Sequence, residues 1–162
     1  MQSESTPPPF DGSRTNAAAV RYLTPQDVIE LHRAVSTEYG GTHAQPGALA
    51  SQFGLQNAIQ RPQATIMGRD AYATLPEKAA AFFFALLQNT PFETGNRRVA
   101  LASLVAFCEV NRCQIDGRAI DEKSLENLVK RGASYREQGV PPEVVFAEIR
   151  EAMSRAIVPM SS

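Results

Sequence analysis

Pro76-Glu77-Lys78-Ala79-Ala80-Ala81-Phe82-Phe83-Phe84-Ala85-Leu86-Leu87 is the stretch that decides the fold. Pro76 suits the first turn of a helix. From Ala79 to Leu87 the residues are apolar around the whole circumference of that helix, not along one stripe. Such a helix is stable only when other elements cover all its sides, so this one is predicted to be a central core helix. Phe82, Phe83 and Phe84 read as core, because a base-stacking platform needs aromatics exposed beside a basic groove.

The flanking sequence supplies the covering elements. On the N-terminal side, Thr24-Pro25-Gln26-Asp27 forms a capping box with proline at the first helical position, and a helix to about Tyr39 follows. Val28, Leu31 and Val35 form its apolar stripe, His32 lies beside that stripe as a satisfied core or boundary residue, and Gly40-Gly41 ends it. A second helix is predicted from Gly47 to about Gln60, carrying Leu49, Phe53 and Ile59 and stopped by Pro62. Between 63 and 75 no helical stripe appears; Ala64-Thr65-Ile66-Met67 before Gly68 predicts a short extended flap near 63–70, with Arg69-Asp70 read as a solvated pair.

On the C-terminal side, Leu101, Leu104, Val105 and Cys108 mark a helix from Val99 to about Arg112, and Ile115-Asp116-Gly117 turns the chain. Two more amphipathic stretches follow, one around Leu125, Leu128 and Val129, the other opened by Pro141-Pro142 and carrying Val145, Ile149, Ala152 and Ala156. The fold class is all-α: a single compact helical domain of about six helices over 21–158, behind a flexible tail at 1–20 that contains Pro7, Pro8 and Pro9. An aromatic content of 7% with no Trp, and few β-branched runs, argue against a sandwich or barrel.

With 162 residues, 43% apolar and 20% charged, the chain fits one ordinary soluble domain. Sixteen basic against seventeen acidic residues give no global electrostatic footprint for nucleic acid or an anionic membrane, so neither is predicted as a partner. No window approaches the roughly 18 apolar residues of a membrane span, and the N-terminus lacks the order of a signal peptide, which predicts a cytoplasmic protein. Cys108 and Cys113, five apart, are placed on different faces of a helix and read as buried, reduced thiols. His32 and His43 are the only histidines, so a His-rich metal centre is excluded.

The segment with chemical potential is Asn89-Thr90-Pro91-Phe92-Glu93-Thr94-Gly95-Asn96-Arg97-Arg98, between the two most apolar helices. Gly95 allows successive N–H groups to converge, the next helix contributes its positive end, and Arg97 and Arg98 add two fixed charges. Those charges oppose the helix dipole until an anion joins them. Without a ligand, the same residues make a helix-connecting turn: Gly95-Asn96 as break and cap, Phe92 as anchor, the arginines solvated or paired with Glu93.

The loop resembles the signature of the Fic/Doc family, H-P-F-x-[D/E]-G-N-[G/K]-R, which joins two helices of an all-α domain. Pro91, Phe92, Gly95, Asn96 and Arg98 match in register. The resemblance extends from Arg21-Tyr22-Leu23-Thr24 through Tyr39-Gly40-Gly41, Asn57 to Gln63 and Glu77 to Ala81, and on to Ile115-Asp116. Arg97 stands where adenylyl-transferring members usually have glycine and Doc toxins lysine, and Leu101 stands where the adenylyl-transferring branch has a second arginine. Both differences place the chain nearest the Doc branch.

The resemblance implies nucleotide or phosphate binding by Gly95, Asn96, Arg97 and Arg98, with Pro91 and Phe92 as loop anchors. Two positions depart from it. Thr90 replaces the catalytic histidine that takes the proton from the target hydroxyl, and Thr94 replaces the acidic Mg²⁺ ligand, leaving Glu93 adjacent. A threonine hydroxyl does not titrate near neutral pH, and losing a positioned base typically costs about 10²–10⁴-fold in rate. The resemblance thus implies a degenerate, silent or weakened Doc-like protein that binds a nucleotide, a phosphate ligand or a protein partner through 90–98. The alternative is an active transferase moving a phosphoryl or AMP group from ATP, with Mg²⁺, to a hydroxyl of a target protein, His43 being a substitute base. Family members are commonly held inactive by a helix bearing S/T-x-x-x-E-G/N. Ser134 to Gly139 comes closest, with Gln138 in place of the glutamate, so control is expected in trans from an antitoxin-like protein.

Overall fold

The computed structural model describes residues 20–39 and 45–161. The N-terminal tail up to residue 19 and His43 lie outside the described residues. The elements run α1 (Pro25–Tyr39), α2 (Gln52–Gln60) with a 3-10 turn (Arg61–Gln63), β1 (Thr65–Ile66), β2 (Arg69–Asp70), α3 (Leu75–Asn89), α4 (Asn96–Val110), β3 (Cys113–Ile115), α5 (Glu122–Ser134), α6 (Pro142–Ala156) and β4 (Ile157–Pro159). The architecture is all-α with two small antiparallel ribbons, β1 with β2 and β3 with β4.

The apolar run builds the centre as its composition requires. α3 is buried from Leu75 to Leu87 except at Glu77, and it packs against α2, α4, α5 and α6. Gly132 of α5 lets that helix approach closely: a Cβ there would lie 2.6 Å from Leu87 Cδ1, too near to fit without a shift. Local signals start the other helices. Thr24 Oγ1 accepts from Asp27 N at 3.1 Å while Asp27 Oδ2 accepts from Thr24 N at 2.8 Å, a complete capping box. Ser51, Thr74 and Asp121 cap α2, α3 and α5.

α2 begins at Gln52, not Gly47, because the Ser51 hydroxyl accepts from Gly54 N and the preceding residues bond the loop after α3 instead. This early-turn position turns Phe53 outward, 77% exposed, and the buried face of α2 is Gly54, Leu55, Ala58 and Ile59. α4 starts at Asn96, and its buried face runs through Val99, Ala100, Leu104, Phe107 and Cys108, leaving Val105 exposed. Cys113 is not on that helix. The chain turns at Arg112 (φ 58), and Cys113 comes back on β3 to donate from Sγ to the Cys108 carbonyl at 3.3 Å. Both thiols are free and buried; the hydrogen bond between them and burial push the Cys108 thiol far up. The β3–β4 ribbon, Cys113 opposite Pro159 and Ile115 opposite Ile157, was not expected.

The flap exists as β1 and β2, with Ile66 and Met67 exposed at its tip. Its Asp70 does not pair with Arg69. Asp70 Oδ2 lies 3.3 Å from Nζ of the fully buried Lys78, which also donates to the Pro62 carbonyl at 3.2 Å. A buried ammonium holds its charge only where such partners surround it. Asp70→Asn is therefore expected to cost about 2 kcal/mol, discounted from a fully buried pair because Asp70 is partly exposed. Arg69→Gln should leave the urea midpoint unchanged; equal effects of the two substitutions would contradict the pairing. Ser103 Oγ is buried on α4 without a hydrogen-bond partner among the described residues. Ser103→Ala is expected to raise stability by about 1 kcal/mol, read as a higher urea midpoint at constant slope.

Candidate functional site

The loop between α3 and α4 is shaped by bonds to four neighbouring segments. Thr90 ends α3 in the left-handed conformation (φ 39, ψ 61), its N–H donating to the Leu86 carbonyl. That conformation suits glycine, asparagine or histidine far better than a β-branched residue, and a following proline restricts it further. Pro91 and Phe92 are buried. The Pro91 carbonyl accepts from Ala50 N at 2.8 Å and Ser51 N at 3.1 Å, Leu49 bridges Phe92, and Glu93 N donates to the Ala48 carbonyl at 3.1 Å. The segment before α2 thus runs antiparallel to the loop as a one-bridge clamp.

Asn96 closes the loop on itself. Its Oδ1 accepts from Phe92 N and its Nδ2 donates to the Phe92 carbonyl, both at 2.9 Å. One side-chain amide imitates a peptide group, so the Asn96 side chain holds loop shape and its backbone N–H is the part aimed at the helix start. Gly95 caps α4 at φ 75, and Val99 N donates to its carbonyl at 3.0 Å. Helix starts leave their first N–H groups without an intrahelical carbonyl, which places the amides of Gly95, Asn96 and Arg97 where an anion is favoured.

Thr90, Glu93, Thr94, Gly95, Arg97 and Arg98 are all exposed, so the face of the loop is open while its back is buried. Arg97 Nη2 donates to Ser134 Oγ at 3.2 Å. At the same corner Gln88 Nε2 donates to Tyr135 Oη at 3.0 Å, and Arg136 Nη1 donates to the Gln88 carbonyl at 3.3 Å. Arg136 therefore lies at the carbonyl end of α3, two residues before Thr90, where a cation is favoured. The end of α5 was singled out in the sequence only for the near-motif Ser134 to Gly139; its contact with Arg97 depends on a helix packing that no local pattern encodes.

His32 lies beside the α1 stripe as a satisfied core residue, as expected, and only its contact with the loop is not legible in the sequence. It is fully buried, and its ring lies on Phe92 with centroids 4.1 Å apart and planes 5° apart. Nε2 is 2.8 Å from the Thr94 carbonyl, and Nδ1 is 2.8 Å from Gly47 N and 3.3 Å from Ser36 Oγ. It is a satisfied buried histidine, and it touches the loop directly.

The open face with two arginines and helix-start amides fits a phosphate group. For Mg²⁺ the loop offers only the Glu93 carboxylate and two threonine hydroxyls, and no cluster of three His, Cys, Asp or Glu side chains occurs among the described residues. Such a face gives Mg²⁺ no dedicated cage, though the ion can be carried by phosphates and waters. Asn96→Ala removes two hydrogen bonds, one accepting and one donating. It is expected to cost about 2 kcal/mol in urea unfolding, with faster amide exchange at Phe92; unchanged exchange there would contradict the clamp.

Comparison with known proteins agrees with this architecture. The Fic/DOC family model matches residues 22–108. The chain is 37% identical over 114 residues, 70% of its own length and 81% of the relative's, to the protein named Toxin Doc of Mycolicibacterium smegmatis (strain ATCC 700084 / mc(2)155). No helix among the described residues is long and apolar enough to cross a membrane. The matched residues of the family model run from α1 through α3 into α4 and include the loop between α3 and α4, and together the two matches show that the chain belongs to the Fic/Doc family, on its Doc branch.

Proposed function

We propose that this chain is a Doc-like cytoplasmic protein that keeps the phosphate-binding frame of its family and lacks the group that drives transfer. It binds ATP or another phosphate ligand, or a protein partner, through 90–98, and transfer is silent or strongly weakened. The observation that carries this reading is Thr90. In the register of the family signature Thr90 stands where the proton acceptor would be, and its hydroxyl does not titrate near neutral pH, while Gly95, Asn96, Arg97 and Arg98 follow in the same register.

The frame has its own chemistry without the base. An anion at the start of α4 would accept from the helix-start amides and from Arg97 and Arg98, and these charges orient a phosphate chain. When bound, Mg²⁺ would neutralise phosphate oxygens, with the Glu93 carboxylate and the Thr94 hydroxyl, beside that of Thr90, as the side-chain oxygens the loop offers it. Gln138 stands where an inhibitory glutamate would be, which supports an antitoxin-like protein in trans as the controlling partner.

Labelled ATP tests the reading. The unmodified protein, Arg98→Ala and the double substitution Thr90→His with Thr94→Asp are incubated with cytosolic proteins and ATP labelled on the α- or γ-phosphate. Label from the double substitution alone is expected. Histidine is better tolerated than threonine in a left-handed position, so Thr90→His should fold at least as stably as the unmodified chain. Label transferred by the unmodified protein and lost in Arg98→Ala would overturn the silent reading, and its origin would distinguish nucleotidyl (α) from phosphoryl (γ) transfer.

A further inference from the structure

We infer that His32 is the positioning residue of the anion site, fixing the direction of the Thr94–Gly95 peptide so that the Gly95 N–H faces the ligand. The inference rests on the reading of 90–98 as a phosphate-binding loop.

Partner chemistry assigns the state of the ring. Gly47 N is a backbone amide and can only donate, so Nδ1, 2.8 Å away, is unprotonated and accepts. The hydrogen of the neutral imidazole is then on Nε2, which donates to the Thr94 carbonyl at 2.8 Å. The ring has no freedom to turn away, because its face lies on Phe92 at 4.1 Å and it is fully buried. A Cβ on Gly95 would sit 3.4 Å from Nε2, so the ring also lies against the backbone of the residue that follows.

Peptide planarity converts that hydrogen bond into a direction. In a trans peptide the C=O and N–H point in opposite senses. The Thr94 carbonyl is held inward on His32, so the Gly95 N–H points outward, to the exposed face that carries Arg97 and Arg98. Glycine itself does not choose this orientation, since it occupies positive and negative φ about equally well. A flip of the same peptide would place a carbonyl oxygen in the anion site. Among the described residues, His32 makes the hydrogen bond to the Thr94 carbonyl that opposes the flip.

ATP binding with Mg²⁺ is measured for the unmodified protein, His32→Phe, His32→Gln and Ile149→Val, each alongside its melting temperature. Phenylalanine keeps the stack on Phe92 and loses the hydrogen bonds to Thr94, Gly47 and Ser36, whereas the glutamine amide can still donate to Thr94. Ile149→Val is a core control on α6, a helix that contributes no residue to the loop. We expect His32→Phe to weaken binding about tenfold, the value of one strong hydrogen bond. His32→Gln should recover most of the loss, and Ile149→Val should lower the melting temperature with affinity unchanged. Undiminished binding by folded His32→Phe overturns the inference and leaves the phosphate-binding reading standing. No binding by the unmodified protein overturns both.

Should His32→Phe fail to fold, nitrogen NMR of the unmodified protein decides. A neutral ring protonated on Nε2, together with a Gly95 amide signal that moves on ATP addition, supports the inference. A ring protonated on Nδ1, or a Gly95 amide unmoved by ATP that does bind, overturns it.

Discussion

A helix without a polar face has no stable position except at the centre, and α3 imposes that constraint on everything else. Twelve of its fifteen residues are buried, including Lys78, which survives there because Asp70 and the Pro62 carbonyl meet its ammonium. The neighbouring helices α2, α4, α5 and α6 are held to it by contact, and Gly132 allows α5 to come within van der Waals range of Leu87. With all its sides covered, α3 meets the open face of the loop at its C-terminal end, where Thr90 is exposed. The position of the candidate site thus follows from the apolarity of the core helix.

α4 is secured at both ends by the same device. Asn96 bonds both the N–H and the carbonyl of Phe92, and Asn111 bonds both those of Arg21, at 2.8 Å each. In each case a side-chain amide pairs with a single residue of irregular chain as a strand would, without requiring a sheet. The first clamp fixes the loop before α4, and the second fixes the segment entering α1. His32 on α1 reaches the same loop from behind, so the two ends of α4 and the back of the site form one connected set of bonds.

What was legible in the sequence was local. The capping box at Thr24 and Asp27, the wholly apolar face from Ala79 to Leu87, and the loop signature each lie within a few residues, and each folds as its chemistry predicts. What was not legible depends on chain segments far apart in sequence. β3 and β4 are three residues each and separated by the whole of α5 and α6, so neither carries a periodicity of its own. The Asp70–Lys78 pair needs the flap to fold back on α3, and the placement of His32 against Thr94 joins residues 62 apart. The hydrophobicity of Phe53 does not predict its burial, because once Ser51 caps α2, Phe53 falls on the outward side of the first turn.

Thr90 separates the shape of the loop from its chemistry. A β-branched residue before proline is a poor occupant of φ 39, and strain of this kind is of order 1–3 kcal/mol. Threonine does not select that backbone. The chain is held there by the Leu86 carbonyl on one side and, on the other, by Ala50 and Ser51 bonding the Pro91 carbonyl, with Phe92 sunk in the core. None of those bonds uses the Thr90 side chain, and none uses the side chain of Thr94. The groups that shape the loop are His32, Phe92, Gly95, Asn96 and the backbone of 48–51, and the side chains at 90 and 94 are not among them. Because the two sets do not overlap, the side chains at 90 and 94 can be exchanged while the loop keeps its shape, which is the physical condition that the proposed function requires.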